Sequence, residues 1–341
     1  MKTEILPIQN DTLEAAANRA GALLRDGDVV GIPTETVYGL AANAFDEVAV
    51  SKIFKAKGRP QDNPLIVHIS AFSELAPLVQ AVPESAKKLA EAFWPGPLTM
   101  ILPKSDKIPD AVCAGLSTVA IRCPAHPVAR AVIAAAGVPL AAPSANLSGS
   151  PSPTNAKYVF DDMNGKIPLI LDGGQSAVGV ESTVITLALD TPRVLRPGGI
   201  TVEQLRAVLG TVEVDDAVLH PLKQGATVAS PGMKYKHYAP KAEITIVKGT
   251  LSQFTAYVNA HKSDADFVLC FEGEEAAFSK AITYGRAEDG LSEANRLFDA
   301  LRELDEQGAK RVFARCPAEE EVGLAVYNRL LRAAAFRVVT L

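Results

Sequence analysis

One stretch near the N-terminus limits the possible folds more than any other. Residues 29–40 begin as an apolar run, turn at Pro33 and continue with small hydroxyl residues. Lys57 and Arg59 follow at the predicted end of a helix, which Pro60 cannot continue. A strand that delivers hydroxyl groups beside a cationic helix end predicts a cleft for a nucleotide and a small polar substrate.

Length and composition indicate a globular protein of two domains. The chain has 341 residues, too many for one ordinary core, and 48% of them are hydrophobic. Charged residues make up 21%, which argues against a disordered chain. The net charge of -5 argues against bulk nucleic-acid binding but leaves room for a local basic cleft.

The cysteines and the N-terminus bear on the compartment. The four cysteines are scattered, with no Cys-x-x-Cys pair and no histidine at zinc-ligand spacing, so we expect reduced thiols. The N-terminus lacks the apolar core of a signal peptide, and no apolar run is long enough to span a membrane. These features predict a cytoplasmic protein.

The order of predicted elements divides the chain into three parts. Residues 1–210 mix strands and helices and form the first domain, and residues 211–242 are predicted to be a linker. Residues 243–341 alternate short strands with helices, which predicts a small parallel α/β domain. That last domain lacks glycine-rich dinucleotide and P-loop motifs, so neither kind of site is expected there.

Two short motifs supply candidate phosphate ligands, each with a plainer alternative. Lys57 and Arg59 either complement the negative end of a helix or clamp a phosphate, with arginine as a planar fork for two oxygens. Ser144 and Asn146 follow a predicted strand that ends at Pro143. They either cap a turn or direct donors towards an anionic ligand at the strand's carboxyl end.

Two polar residues lie within apolar strands. His68 is either a hydrogen-bonded core residue or a ligand of the substrate. Arg122 ends an apolar strand, where a cation is costly unless it meets an anion. That anion is either a substrate carboxylate or a carboxylate of the protein, with Glu35 and Glu181 as the candidates.

Other polar residues, among them Asn63, Ser182 and Arg196, could each be structural or functional when considered singly. The sequence shows no Ser-His-Asp or Cys-His order and no pair of carboxylates in a likely cleft. A site made mainly of cations and hydroxyl groups would work by positioning and charge neutralisation rather than through a covalent nucleophile.

Taken together, the motifs are more specific than any one of them. They are residues 33–40, Lys57-x-Arg59, Asn63-Pro64-Leu65, residues 94–99, Ser144-x-Asn146, residues 181–184 and Arg196-Pro197-Gly198. In this order the chain closely resembles the YrdC-like L-threonylcarbamoyladenylate synthases. Residues 230–233 and 237–240, with the C-terminal α/β unit, look like the long, two-domain form of that family.

The resemblance implies an enzyme, a nucleotidyltransferase, that joins L-threonine, bicarbonate and ATP into threonylcarbamoyl-AMP and pyrophosphate. The product would pass to the tRNA threonylcarbamoyltransferase machinery for modification of tRNA. The implied fold is α/β: a YrdC-like twisted N-terminal domain with a concave basic cleft, and a small Rossmann-like parallel C-terminal domain. The resemblance also implies Mg²⁺ bound with ATP; no protein side chain is identified as a metal ligand.

The resemblance assigns roles to individual residues. Those that would hold the nucleotide are Lys57, Arg59, Ser144, Asn146 and Arg196, with Lys57 and Arg59 as the catalytic pair. Those that would hold L-threonine are Thr34, His68, Arg122 and Ser182, with Arg122 on the carboxylate and His68 as a possible aid in forming the carbamate. The linker would act as a lid, with Gly232 as a hinge and Tyr235 or Tyr238 over the pocket.

Two alternatives remain open from the sequence. One is adenylation starting from carbamoyl phosphate, as in hydrogenase-maturation relatives, although the zinc-finger Cys-x-x-Cys pairs typical of those chains are missing. The other is an RNA-binding module that uses the basic cleft, whose binding would weaken steeply with salt.

Overall fold

The computed structural model describes residues 1–221 and 238–341. These ranges form one sheet of eleven strands in the N-terminal half and one sheet of five strands in the C-terminal part. No helix within them is both long enough and apolar enough to cross a membrane. Gly232 and Tyr235, predicted as parts of a lid, lie outside the described residues.

The N-terminal domain is built from eleven strands and seven helices in the described part of the chain. Its strands are β1 (Glu4–Pro7), β2 (Val30–Ile32), β3 (Gly39–Asn43), β4 (Ile66–His68), β5 (Leu98–Pro103), β6 (Thr118–Arg122), β7 (Leu140–Ala141), β8 (Leu169–Asp172), β9 (Thr183–Thr186), β10 (Arg193–Arg196) and β11 (Glu213–Val214). Its helices are α1 (Leu13–Arg25), α2 (Glu47–Lys57), α3 (Glu84–Phe93), α4 (Asp110–Cys113), α5 (Pro127–Ala136), α6 (Ala156–Met163) and α7 (Val202–Leu209).

The large sheet mixes parallel and antiparallel pairs. Its strand order is β1-β8-β2-β3-β7-β4-β6-β5-β9-β10-β11. His68 on β4, Arg122 on β6 and Thr99 on β5 lie directly opposite one another. Residues that are opposite on neighbouring strands point to the same face of a sheet, so these three polar side chains form one row.

Local signals in the sequence determine where Lys57 lies. Asp46 caps the start of α2 by accepting hydrogen bonds from the backbone of Val48 and Ala49. The helix ends at Gly58, which has φ 62°, a left-handed conformation that glycine adopts without strain. Lys57 is therefore the last helical residue and Arg59 begins the following loop, as the sequence predicts.

The C-terminal domain is a parallel α/β unit, which confirms the predicted fold class. Its strands are β12 (Glu243–Lys248), β13 (Phe267–Cys270), β14 (Ala281–Thr283), β15 (Arg311–Arg315) and β16 (Val338–Thr340), and its helices are α8 (Leu251–His261), α9 (Gly290–Glu306) and α10 (Glu321–Ala333). The strand order is β14-β13-β15-β12-β16, and every pair is parallel.

The large sheet extends beyond residue 210, into the range predicted as linker. Strand β11 pairs with β10, and a 3₁₀ turn over Asp216–Val218 follows it. Val212, Ala217 and Val218 are buried, which explains why this part of the chain stays on the N-terminal domain.

Candidate active site

A cavity at the row of polar strand residues brings together most of the predicted site. Eight predicted residues line it: Thr34, Arg59, His68, Arg122, Ser144, Ser182, Arg196 and Tyr238. Seven of them come from the two predicted groups, the nucleotide ligands and the threonine ligands, and Tyr238 comes from the predicted lid. Three guanidinium groups face the cavity, against one lining carboxylate, Glu181, so the hollow suits an anionic guest.

Arg122 is paired with a carboxylate of the protein. Its guanidinium donates to Glu35 Oε1 at 2.6 Å, to Thr36 Oγ1 at 2.8 Å and to the carbonyl of Gly96 at 3.3 Å. Of the two protein anions considered from the sequence, Glu35 is therefore the partner. Burial by itself raises the pKa of Glu35, but the charge and hydrogen bond of Arg122 lower it below its usual value.

His68 is buried and neutral. Its Nδ1 lies 3.1 Å from the carbonyl of Ile66, so this nitrogen carries the proton and Nε2 is the acceptor. Burial lowers the pKa of His68 to about 3, and the charge of Arg122 adds to the effect. The imidazole is therefore too weak a base to take a proton from a threonine ammonium at neutral pH, which argues against the predicted aid in carbamate formation.

Lys57 lies behind the wall of the cavity rather than among its lining residues. Its ammonium donates to the carbonyls of Ser144 and Asn146, the latter at 2.7 Å, and lies 3.4 Å from Asn146 Oδ1. The Ser144 hydroxyl donates to Asn146 Oδ1 at 2.5 Å. Burial, followed by the charge of Arg59, lowers the pKa of Lys57. In this structure Lys57 and Asn146 fix the loop that carries Ser144.

The hydroxyl of Thr34 forms hydrogen bonds with the backbone of its own turn. Its hydroxyl donates to the carbonyl of Val37 at 2.6 Å and accepts from the backbone of Thr36 at 3.2 Å. The side chain therefore holds the turn between β2 and β3 in shape, as hydroxyl residues commonly do in turns. It still lines the cavity.

Arg59 and Asn63 form a second polar group beside the cavity. Arg59 donates to the carbonyl of Asn63 at 3.0 Å, and its guanidinium lies 5.9 Å from the Phe54 ring centre. Asn63 is 1% exposed, and neither its amide nitrogen nor its amide oxygen has a partner among the described residues. Buried polar groups are nearly always paired with protein, ordered water or a ligand, so this amide is available to a further polar partner.

Ser182 is held by a network that extends into the C-terminal domain. Its hydroxyl lies 2.8 Å from Thr99 Oγ1 and accepts from Arg196 at 3.2 Å. The preceding residue, Glu181, accepts from Arg329 of α10 at 2.8 Å. Arg329 is fully buried, and it also donates to the carbonyl of Glu181 at 3.3 Å.

Tyr238, which belongs to the described residues, lines the cavity. It is 4% exposed, its ring centre lies 5.3 Å from that of Phe298, and the Arg329 guanidinium lies 5.6 Å from it. Its φ of 62° lies in the left-handed region, which is unusual for a residue with a side chain. The backbone of Ala239 then donates to the carbonyl of Gly149 at 2.9 Å.

Comparison with known proteins assigns the chain to a family. Residues 22–198 match the Sua5/YciO/YrdC family model, described as telomere recombination, and residues 200–335 match a model described as the C-terminal domain of threonylcarbamoyl-AMP synthase. The chain belongs to the Sua5/YciO/YrdC family. Its second matched model identifies the two-domain form.

Individual relatives of this Sua5/YciO/YrdC protein match over nearly their whole length. A threonylcarbamoyl-AMP synthase of Pyrococcus abyssi is 44% identical over 99% of both chains. The threonylcarbamoyl-AMP synthase of Bacillus subtilis is 48% identical over 94% of this chain and 93% of its own. A crystal structure of P. abyssi Sua5 complexed with L-threonine superposes with a TM-score of 0.90 at 41% identity, covering 99% of this chain and 100% of that one.

Two residues that bond to the lining of the Sua5/YciO/YrdC site, Asn63 and Arg329, were not among the residues predicted to form it. Asn63 belongs to a sequence motif that gives it no role by itself, and its buried amide has no partner among the described residues. Arg329 had no signal in the sequence, because it reaches the site only through the docking of α10.

Proposed function

We propose that the protein is an L-threonylcarbamoyladenylate synthase, which converts L-threonine, bicarbonate and ATP into threonylcarbamoyl-AMP, pyrophosphate and water. The observation that carries the proposal is the convergence on one cavity of residues predicted to hold threonine and residues predicted to hold a nucleotide. The match to a relative complexed with L-threonine supports the choice of amino acid.

The reaction has to bring several anions together. The neutral amine of threonine condenses with bicarbonate to a carbamate and releases water; an oxygen of the carbamate then attacks the α-phosphorus of ATP, and pyrophosphate leaves. Mutual repulsion of carbamate and phosphates is the main obstacle, and buried guanidinium groups offset it in a site from which water is excluded. We assign this role to Arg59 and Arg196, which are both less than a tenth exposed.

Arg122 and Ser182 would hold the threonine. The three hydrogen bonds of Arg122 within the protein account for three of its five N–H donors, and the remaining two can donate to the substrate carboxylate. His68 Nε2 would accept a hydrogen bond from the substrate rather than remove its proton. Tyr238 would exclude water and thereby protect an adenylate that hydrolyses easily.

Mg²⁺ would enter with ATP. Within residues 1–221 and 238–341, no group of three His, Cys, Asp or Glu side chains is placed to hold a metal ion. The chemistry supplied by the metal is neutralisation of the phosphate oxygens. We further propose a cytoplasmic location and transfer of the product to the tRNA threonylcarbamoyltransferase machinery.

Pyrophosphate release tests the proposal. We expect release only when L-threonine, bicarbonate, ATP and Mg²⁺ are all present, and no release when carbamoyl phosphate replaces bicarbonate. Release with carbamoyl phosphate alone would favour the hydrogenase-maturation type of reaction. Salt-sensitive binding of RNA without any release would favour the RNA-binding alternative.

The first prediction concerns the protonation of His68. Because burial lowers its pKa to about 3, we expect its imidazole nitrogen NMR shifts to stay those of the neutral ring from pH 8 to pH 5. The unfolded chain binds a proton below about pH 6.5, so this residue makes the folded state less stable as the pH falls through that value. A titration of His68 with a midpoint near pH 6.5 would contradict the proposed neutral acceptor.

The second prediction concerns Asn63. Asn63→Leu removes two buried polar atoms that have no described partner, so we expect the melting temperature of the free protein to stay the same or rise. We expect the affinity for ATP to fall by about tenfold or more, because a ligand group would lose its hydrogen bonds. Calorimetric ATP titrations and thermal melts test this; unchanged ATP affinity would exclude Asn63 as a ligand.

A further inference from the structure

A second cavity lies in the C-terminal domain, outside the carboxyl ends of its parallel strands. Lys248 ends β12, Phe271 follows β13, Glu288 belongs to the loop after β14, and Arg315 ends β15; all four line this cavity. Open α/β sheets bind their ligands in the crevice at this edge. The cavity is separate from the site described above, with which it shares no lining residue.

A buried carboxyl group faces this cavity. Glu293, in the first turn of α9, is 1% exposed and lines the cavity. Its Oε2 has no hydrogen-bond partner among the residues that the structure describes. A buried acceptor without a donor is costly, and such groups in folded proteins usually have a bound partner.

The cations of the lining are already neutralised. Lys248 forms an ion pair with Glu319, and Arg315 pairs with Glu274 at 3.1 Å and donates to the carbonyl of Gly249 at 2.8 Å. Three further carboxyl groups belong to the lining: Glu288, Glu293 and Glu320. The excess of negative charge favours a cationic guest over a phosphate or a carboxylate.

The backbone around the cavity is strained. Glu288 has φ 62° and Glu321, which directly follows the lining residue Glu320, has φ 48°. Left-handed conformations at residues with side chains cost energy and tend to cluster at ligand sites. At Gly290, an added Cβ would lie 2.8 Å from the backbone nitrogen of Gly323, so the starts of α9 and α10 are in direct contact beside the cavity.

We propose that this cavity is a binding site for a small molecule that carries a protonated primary amine, with the Glu293 carboxylate as its partner. An ammonium group supplies the hydrogen-bond donor that Oε2 lacks. It also supplies the positive charge that the acidic lining lacks. Such a site would let the C-terminal domain sense an amine-bearing metabolite at a distance from the first cavity.

The pH dependence of binding follows from the protonation of Glu293. Burial raises its pKa to about 7, the charge of Asp289 adds to this, and the backbone of Glu288 opposes it. The other charged and titratable groups around the cavity are Lys248, Glu274, Tyr284, Arg315, Cys316, Glu319 and Glu320. An ammonium favours the ionised carboxylate, so the affinity should fall as the pH decreases below about 7.

Propylamine is the probe for the test, with propanol and propionate as isosteric controls. In the full-length chain, we expect propylamine to cause saturable changes in the backbone amide shifts of Gly249, Gly285 and Gly290. Glu293→Gln should weaken this binding by about tenfold or more, because a charged partner is lost. Glu320→Gln, which removes a charge from the exposed rim, should change it little.

Several outcomes would overturn the proposal. These are the absence of saturable shifts with propylamine, equal affinity in the Glu293→Gln protein, or equal binding of propanol or propionate. If Glu293→Gln fails to fold, the unmodified protein still provides a test. Its affinity for propylamine must then fall by about tenfold between pH 7.5 and pH 5.5, and a constant affinity would overturn the proposal.

Discussion

Arg122→Met is expected to lower kcat/KM for L-threonine by about a hundredfold or more and to destabilise the fold. The loss of activity follows from removing a buried charge that we assign to the substrate carboxylate. The loss of stability follows because Glu35 would remain buried without its partner, which costs about 3–5 kcal/mol. Steady-state kinetics and urea unfolding measure the two effects.

The same variant should reverse the pH dependence of stability contributed by Glu35. In the natural protein its pKa is lowered, so its contribution is present above about pH 4.5 and is lost as the pH falls. Without Arg122, burial is the dominant effect and raises the pKa of Glu35. The folded state then loses stability through Glu35 as the pH rises above about 4.5.

An exposed ion pair provides the control for this variant. Arg193→Met removes the partner of Glu213, at 2.7 Å on the surface, and should cost at most about 1 kcal/mol without changing the kinetics. Equal effects of the Arg122 and Arg193 variants on activity would contradict the role assigned to Arg122.

Arg329→Met is expected to lower stability by about 3–5 kcal/mol and to raise KM for L-threonine, although Arg329 does not line the cavity. Burial by itself raises the pKa of Glu181, but the charges of Arg329 and Arg196 outweigh this effect, so the pKa lies below its usual value and the carboxylate stays ionised. Without Arg329 this carboxylate loses its ion-pair partner and keeps the hydrogen bond from Ser152, and Ser182 beside it loses its fixed position. Kinetics with threonine as the varied substrate test this coupling between the domains.

A second pair between the domains controls for simple destabilisation. Arg302 of α9 binds Asp162 at 2.8 Å, and both side chains are about as buried as Glu181. Arg302→Met should lose comparable stability but leave KM for threonine nearly unchanged, because neither residue lines the cavity. The double variant Arg329→Met with Glu181→Gln should recover part of the stability. Equal KM values in the Arg302 and Arg329 variants would show that Arg329 does not position the site.

The sequence predicted the parts of the site that depend on local signals. Asp46 and Gly58 bound the helix that ends at Lys57. The sequence also places His68 within one apolar strand and Arg122 at the end of another, and in the structure the two residues lie opposite each other on β4 and β6. The sequence also predicts an anion beside Arg122, either a substrate carboxylate or a protein carboxylate such as Glu35 or Glu181, because an isolated cation at that position is too costly.

Contacts that depend on tertiary packing could not be predicted. Arg329, the ion-pair partner of Glu181, is 148 residues away in the sequence, and no periodicity or motif links the two residues. The direction of the Lys57 ammonium depends on the path of the loop from Ser144 to Asn146, which takes up the hydrogen bonds that a phosphate was expected to accept. The burial that makes His68 neutral likewise arises only once the neighbouring strands have packed around it.

The most direct test of the proposed function uses labelled bicarbonate. The purified protein is incubated with labelled bicarbonate, ATP, Mg²⁺ and each amino acid in turn, and the products are separated. We predict one labelled product that contains AMP, formed with L-threonine and lost in Arg59→Ala, which should remain folded. The absence of a labelled adenylate with L-threonine, or normal turnover by Arg59→Ala, would contradict the account.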